Sequence, residues 1–262
     1  MMGGNHAACG AAAWVAVTST GSHAFGWYPL EPAGVVIGGL VTAGAALICD
    51  SDHRRSSIAY ALPPVTNVLA FLIGKVSGGH RNGTHSIIGV VVFILLAALA
   101  ASWQPVIRGH QVALGAGLLC MFLVAIALKT LEVFPRRSVL ANWFFGLLAA
   151  VIVCFLAPVQ GPWLPLAMGI GVTAHILGDL TTVGGVPLFW PLKFGPPKSW
   201  NMPFWRTSGF ISIPILGTAG SWREKVVIVP IAAYALFGFG LAAWKLVQTG
   251  PLSGLLPYVN VS

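Results

Sequence analysis

Thirteen residues of the 262-residue chain are Asp, Glu or His, and nine of them fall into a few short clusters divided by long apolar stretches. His6 follows Asn5 near the start, and Asp50-Ser51-Asp52-His53 closes an apolar run. His80 and His85 frame Arg81-Asn82-Gly83-Thr84, His175 and Asp179 stand four residues apart, and Glu224 lies between Arg223 and Lys225. Imidazoles and carboxylates bind zinc and related divalent ions, so metal chemistry is the first function these residue types suggest. The setting sharpens the point, because 56% of the chain is hydrophobic and only 8% is charged. An acid inside or beside an apolar span is costly unless it is paired or bound to a cation. His175 and Asp179, at i and i+4, share one helix face and are close enough to hold one ion or to orient one another.

Each cluster also has a plainer reading. A lone His6 inside a bundle serves as a hydrogen-bonded packing residue. Residues 50–53 fit a helix C-terminus followed by an N-cap. The stretch 80–86 fits a solvated turn built on Gly78-Gly79 and Asn82-Gly83, with Thr84 or Ser86 capping the next helix. Glu224 fits a salt-bridged surface acid. The pair His175 and Asp179, at span depth, is the hardest to read this way.

The elements that must position these residues are membrane helices. Mean hydropathy is +0.85 and there are ten Trp; the apolar runs, roughly 17 to 22 residues long, match the ~20 needed to cross a bilayer as helix. Spans are predicted near 7–20, 33–49, 85–101, 112–131, 141–157, 163–181 and 226–247. The first could pass for a signal-peptide core, but nothing basic precedes it, so it reads as mature structure. Pro63-Pro64 interrupts 58–74, which reads as re-entrant or interfacial. The expected fold is all-α: one membrane-embedded domain over 1–262, a bundle of about seven spans plus that segment. Gly171 and Gly178 on the span 163–181 permit a close neighbour. The loop 183–225, rich in Pro, Gly and Trp, is expected to cap one face, with 186–191, 200–205 and 210–216 interfacial.

This arrangement sorts the charge. Arg54, Arg55, Lys75, Arg81, Lys129, Arg136, Arg137, Lys193, Lys198, Arg206, Arg223 and Lys225, twelve of the fourteen basic residues, fall on one side. Arg108, and Lys245 near a span end, fall on the other. The positive-inside rule places the first side, with the N-terminus, in the cytoplasm. The same choice brings His6, 50–53, His80, His85, Asp179 and Glu224 to the cytoplasmic mouth, although none of them entered the count. The net charge of +8 is therefore a topology signal and not a nucleic-acid footprint. Cys9, Cys49, Cys120 and Cys154 show no Cys-x-x-Cys spacing, and no phosphate loop or Gly-x-Ser-x-Gly elbow occurs.

At these clusters the chain resembles the YdjM-like family of membrane-bound metal-dependent hydrolases, named for a LexA-regulated bacterial inner-membrane protein. The matching elements are His6, then Asp50-Ser51-Asp52-His53 with Ser56, then His80-Arg81-Asn82-Gly83-Thr84-His85-Ser86. The last is His175-Ile176-Leu177-Gly178-Asp179-Leu180-Thr181-Thr182 leading to 184–191. The resemblance covers roughly residues 5–225 and departs from the family's pattern at Ile48-Cys49 and Asn82. It implies a hydrolase of the bacterial inner membrane. Helical zinc phospholipases C, which also carry a His-x-x-x-Asp pair, offer a chemical analogy.

The resulting expectation is that His6, Asp50, His85, His175 and Asp179 bind one or more divalent ions, zinc first, with manganese or iron as alternatives. His53, His80 and Asp52 would add ligands or orient the others. A free acid, Asp52 or Glu224, would be the general base, while Arg81 and the basic 193–225 loop attract a phosphoester or lipid-headgroup substrate at the inner leaflet. Membrane lipids are the expected partners, and the sequence is silent on oligomeric state. Two other classes compete: an ion- or proton-coupled transporter, and a scaffold with a structural metal.

Overall fold

The computed structural model describes residues 1–135, 138–156, 162–192, 194–197 and 202–249; Arg136, Arg137, Lys193, Lys198 and Trp200 lie outside them. Among the described residues eight α-helices run in order: α1 (Gly3–Thr18), α2 (Pro32–Ala45), α3 (Val65–Val76), α4 (Ile87–Ser102), α5 (Leu114–Thr130), α6 (Val139–Leu156), α7 (Trp163–Leu180) and α8 (Trp222–Thr249). Between α4 and α5, strands β1 (Val106–Ile107) and β2 (His110–Gln111) pair antiparallel in register Val106 to Gln111, the one sheet among the described residues. Seven helices match the expected spans with ends displaced by a few residues. The chain is an all-α membrane bundle.

Length and apolarity suffice for crossing in three segments: α7, α8, and α2 continued through a 3-10 turn (Ile48–Asp52). Helices α4, α5 and α6 are apolar but somewhat shorter. Helix α3, the segment interrupted by Pro63-Pro64, has 12 residues. At 1.5 Å per residue it reaches about 18 Å, short of the ~30 Å hydrocarbon layer. Its Thr66 and Ala70 face inward while Val65, Val68, Leu69, Phe71 and Leu72 are exposed, as befits an interfacial helix. Helix α4 exposes Ile87, Ile88, Val91, Leu95 and Leu99, a face suited to lipid tails and not to water.

The core is a close contact of α1, α2 and α7. A Cβ on Gly171 of α7 would lie 2.6 Å from the Ala45 Cβ, and one on Gly10 of α1 would lie 2.8 Å from the Ala46 Cβ. Glycine at both positions lets α1 and α7 press on the end of α2. With the short α3 left aside the helices alternate in direction, and side-chain contacts bring the start of α1, the end of α2, the start of α4, the end of α7 and the start of α8 together at one end of the bundle. Each of these ends carries one of the polar clusters.

Candidate metal centre

The donors reach the centre from four helix ends. His6 lies in the first turns of α1. Asp50 and Asp52 lie in the 3-10 turn that continues α2. His85 sits in a second short 3-10 turn (Gly83–His85) just ahead of α4, whose N-cap is Ser86, accepting from the Gly89 N–H at 3.1 Å. His175 and Asp179 share the inner face of α7 near its C-terminus. His6, His85, His175 and Asp179 are at most 1% exposed.

The hydrogen bonds fix which nitrogen of each imidazole is available. His175 Nδ1–H donates to the Ala46 carbonyl at 2.6 Å, a group that can only accept. Thr84 Oγ1–H donates to Asp52 Oδ2 at 2.6 Å, so the same hydroxyl must accept from His85 Nδ1–H, 2.9 Å away. Both rings are thereby held with Nε2 bare when neutral. The two Nε2 atoms stand 3.2 Å apart. Burial pushes the His85 pKa down, and the neighbouring His175 adds to the effect; the neutral imidazole is the form that binds metal.

Carboxylates complete the ring of donors. Asp50 Oδ1 is 3.8 Å from His85 Nε2 and 3.9 Å from His175 Nε2. Asp179 Oδ2 is 3.7 and 3.8 Å from the same two atoms. His6 Nε2 meets Asp179 Oδ1 at 3.2 Å, with its ring stacked on His175 at a centroid separation of 3.6 Å. A tetrahedral ion with bonds of about 2.0 to 2.1 Å sets its ligands ~3.3 to 3.4 Å apart, close to these spacings. The Asp50 carboxylate makes no hydrogen bond to the described residues; its approaches to the two imidazoles are too long for hydrogen bonds and suited to a shared cation. Three overlapping groups have ligating atoms within 4.8 Å of one another: His6, His175 and Asp179; Asp50, His85 and His175; and Asp50, Asp52 and His80. The residues fit a divalent ion.

The remaining expected residues have defined places. Asp52 is buried, and its oxygens accept from His80 Nδ1–H at 2.9 Å, the Arg81 N–H at 3.1 Å and Thr84. Arg81, held at φ 60°, reaches Asp179 Oδ2 at 3.1 Å. The Met1 amine also bonds Asp179. His53 belongs to none of the three groups; its ring lies 4.4 Å from that of His80, and its Nδ1 accepts from the Arg55 N–H. Glu224, fully buried, stands apart from the donors. It accepts from the Met2 N–H at 2.7 Å, Asn5 Nδ2 and the Gly220 N–H at 2.7 Å, clamping the start of α1 to the start of α8.

Above the donors opens a cavity of about 330 Å³, bordered by Asp50, His53, Arg55, His80, Arg81 and Asp179. Arg55 and Thr84 were missed as site residues. Nothing marks Arg55 in sequence beyond its proximity to His53, whereas Thr84, adjacent to His85, reads equally as a helix cap. The loop after α7 frames this end: the Ile87 N–H donates to the Leu188 carbonyl at 3.0 Å, and Trp190 packs near Gly83. In that loop Phe189, Leu192, Phe204 and Ile215 are exposed.

A family model described as YdjM inner membrane protein matches residues 1–132 and 138–248. No curated protein and no solved structure matches the chain.

Proposed function

The chain belongs to the YdjM inner membrane protein family, and from that premise we propose that it is a metal-dependent hydrolase acting on a phosphoester or lipid headgroup at the cytoplasmic face. The observation that carries this reading is the pair of bare, buried Nε2 atoms facing each other at 3.2 Å beside two carboxylates. Two lone pairs so close repel unless a proton or a metal ion lies between them, and the two carboxylates beside them add the charge that favours a metal ion. Zinc suits the mixed nitrogen and oxygen donors.

His6, Asp50, His85, His175 and Asp179 hold the ion. An ion of this kind supplies Lewis acidity and lowers the pKa of its bound water to about 7. The chain's own groups do the rest. The Ala46 carbonyl and the Thr84–Asp52 relay lock the two imidazoles in the ligating tautomer. Arg81 and Arg55 border the cavity with positive charge and draw in a phosphate. The basic face of the bundle sets these groups against the anionic inner leaflet. Asp52 Oδ2 accepts from Thr84 and the Arg81 N–H, and both oxygens of Glu224 accept hydrogen bonds, so we assign neither acid as general base: Asp52 Oδ2 positions His85 through Thr84, Asp52 Oδ1 faces His80, and Glu224 positions the start of α1.

The test is purified protein in detergent, analysed for bound metal and assayed on generic phosphodiesters and phospholipids with and without chelator. Chelator-sensitive turnover that Asp179→Asn abolishes supports the hydrolase. Bound metal with no turnover on any of these substrates would indicate a scaffold, and ion flux in liposomes without turnover would indicate a transporter; either result overturns the proposal.

A further inference from the structure

We propose that the centre holds two divalent ions, not one, with Asp50 bridging them; this rests on the reading above that the cluster binds metal. The three donor groups are not independent. His175 belongs to the first and second, and its Nδ1–H is committed to the Ala46 carbonyl, leaving Nε2 as its single ligating atom. One nitrogen lone pair serves one ion. The five residues His6, Asp50, His85, His175 and Asp179 therefore collapse into one position.

The third group behaves differently. It shares only Asp50 with the others, adding Asp52 and His80. A carboxylate has two oxygens and can ligate one ion through each, so sharing here permits a second position where sharing at His175 forbids it. The Asp50 carboxylate has what a bridge requires: no hydrogen bond among the described residues, and contacts of 3.8 and 3.9 Å to the first position's imidazoles. Charge favours the same result. Asp179 has Arg81 and the Met1 amine beside it, and Asp52 has the Thr84 hydroxyl and the Arg81 N–H, but among the described residues no Lys, Arg or amine pairs with the Asp50 carboxylate. The second position also borders the open cavity, where His80 and Asp50 face Arg55 and Arg81. Paired ions about 3.5 to 4 Å apart can clamp both the attacking and leaving oxygens of an in-line displacement, and beside Arg55 and Arg81 that arrangement favours a phosphoester.

The experiment uses the full chain in detergent, stripped with chelator and reloaded with Mn²⁺, read by elemental analysis and electron paramagnetic resonance. The expected result is two Mn²⁺ per chain with a spin-coupled signal, falling to one per chain with an uncoupled signal in His80→Ala and in His80→Gln. The imidazole of His80 is more than a third exposed, and gel filtration with thermal melts shows whether the variants stay folded. His23→Ala, remote from the site, should keep two. One Mn²⁺ per chain in the wild type overturns the two-ion proposal and leaves the metal centre standing, as do two per chain unchanged by both His80 variants. No Mn²⁺ bound in the wild type sinks the metal reading itself.

Discussion

The two ends of the bundle hold similar residues and differ in what they can do with them. At one end His6, Asp50, His85, His175 and Asp179 converge within 3.2 to 3.9 Å of a neighbour, four of them buried. At the other end His23, Glu31, Tyr28 and Lys245 border a cavity of about 760 Å³, more than twice the volume. No group there brings three ligating atoms together among the described residues. His23 stacks edge-on against Phe237, and its backbone carbonyl accepts from Tyr234. The difference teaches that a site is made by burial and convergence, not by residue type or pocket size. A carboxylate left in a wide, wet mouth is satisfied by water, whereas one packed among imidazoles needs a cation.

The strongest break in this contrast comes from removing a donor. His175→Ala or His85→Ala should abolish stoichiometric metal binding by elemental analysis, while His23→Ala or Glu31→Gln at the far end leaves it unchanged. Equal losses at both ends would show that the convergent end has no special affinity.

Next in size is the relay behind His85. Thr84→Val keeps the side-chain volume but removes the hydroxyl linking His85 to Asp52, and metal affinity should fall about 10- to 100-fold, as measured by competition with a chelator. An unchanged affinity would show that the relay does not set the tautomer.

Packing offers a third test. Gly171→Val drives a side chain into Ala45 and the Thr42 carbonyl, and overpacking of this kind costs about 1 to 3 kcal/mol. A lowered Tm with weakened metal binding is expected. A Cβ at Gly240 of α8 meets nothing within 4 Å, so Gly240→Ala should leave both unchanged.

The smallest effect is in pH. Because the folded pKa of His85 is depressed, the unfolded chain takes up its proton first, and stability of the metal-free protein falls as pH drops below the unfolded imidazole value of about 6.5. The drop in Tm between pH 7.5 and 5.5 in chelator should shrink in His85→Ala. If it does not, the His85 imidazole is not held neutral by the fold.

Much of this was legible in the chain. Long apolar runs announce helices because a backbone in hydrocarbon must satisfy its own hydrogen bonds, and Pro63-Pro64 marks the segment that yields the short α3. Gly171 and Gly178 were readable as close-approach positions: a Cβ on Gly178 would lie 3.1 Å from His6 Nδ1. The clusters at 50–53, 80–86 and 175–179 were readable as polar groups too costly to leave alone. Within them, individual roles were not. Thr84 and Ser86 look interchangeable as caps, yet Ser86 caps α4 and Thr84 links Asp52 to His85. Glu224, flanked by two cations in sequence, points inward and ties down the start of α1.

The sequence by itself determined the solvent, the helices and the residue types able to bind a cation, since all three follow from composition and periodicity along one dimension. Which nitrogen faces which oxygen, that the Asp50 carboxylate goes without a hydrogen bond among the described residues, and that Glu224 works as a clamp were decided only when the ends of α1, α2, α4, α7 and α8 were packed together. Those facts are distances between atoms far apart in the chain, and only the tertiary fold fixes them.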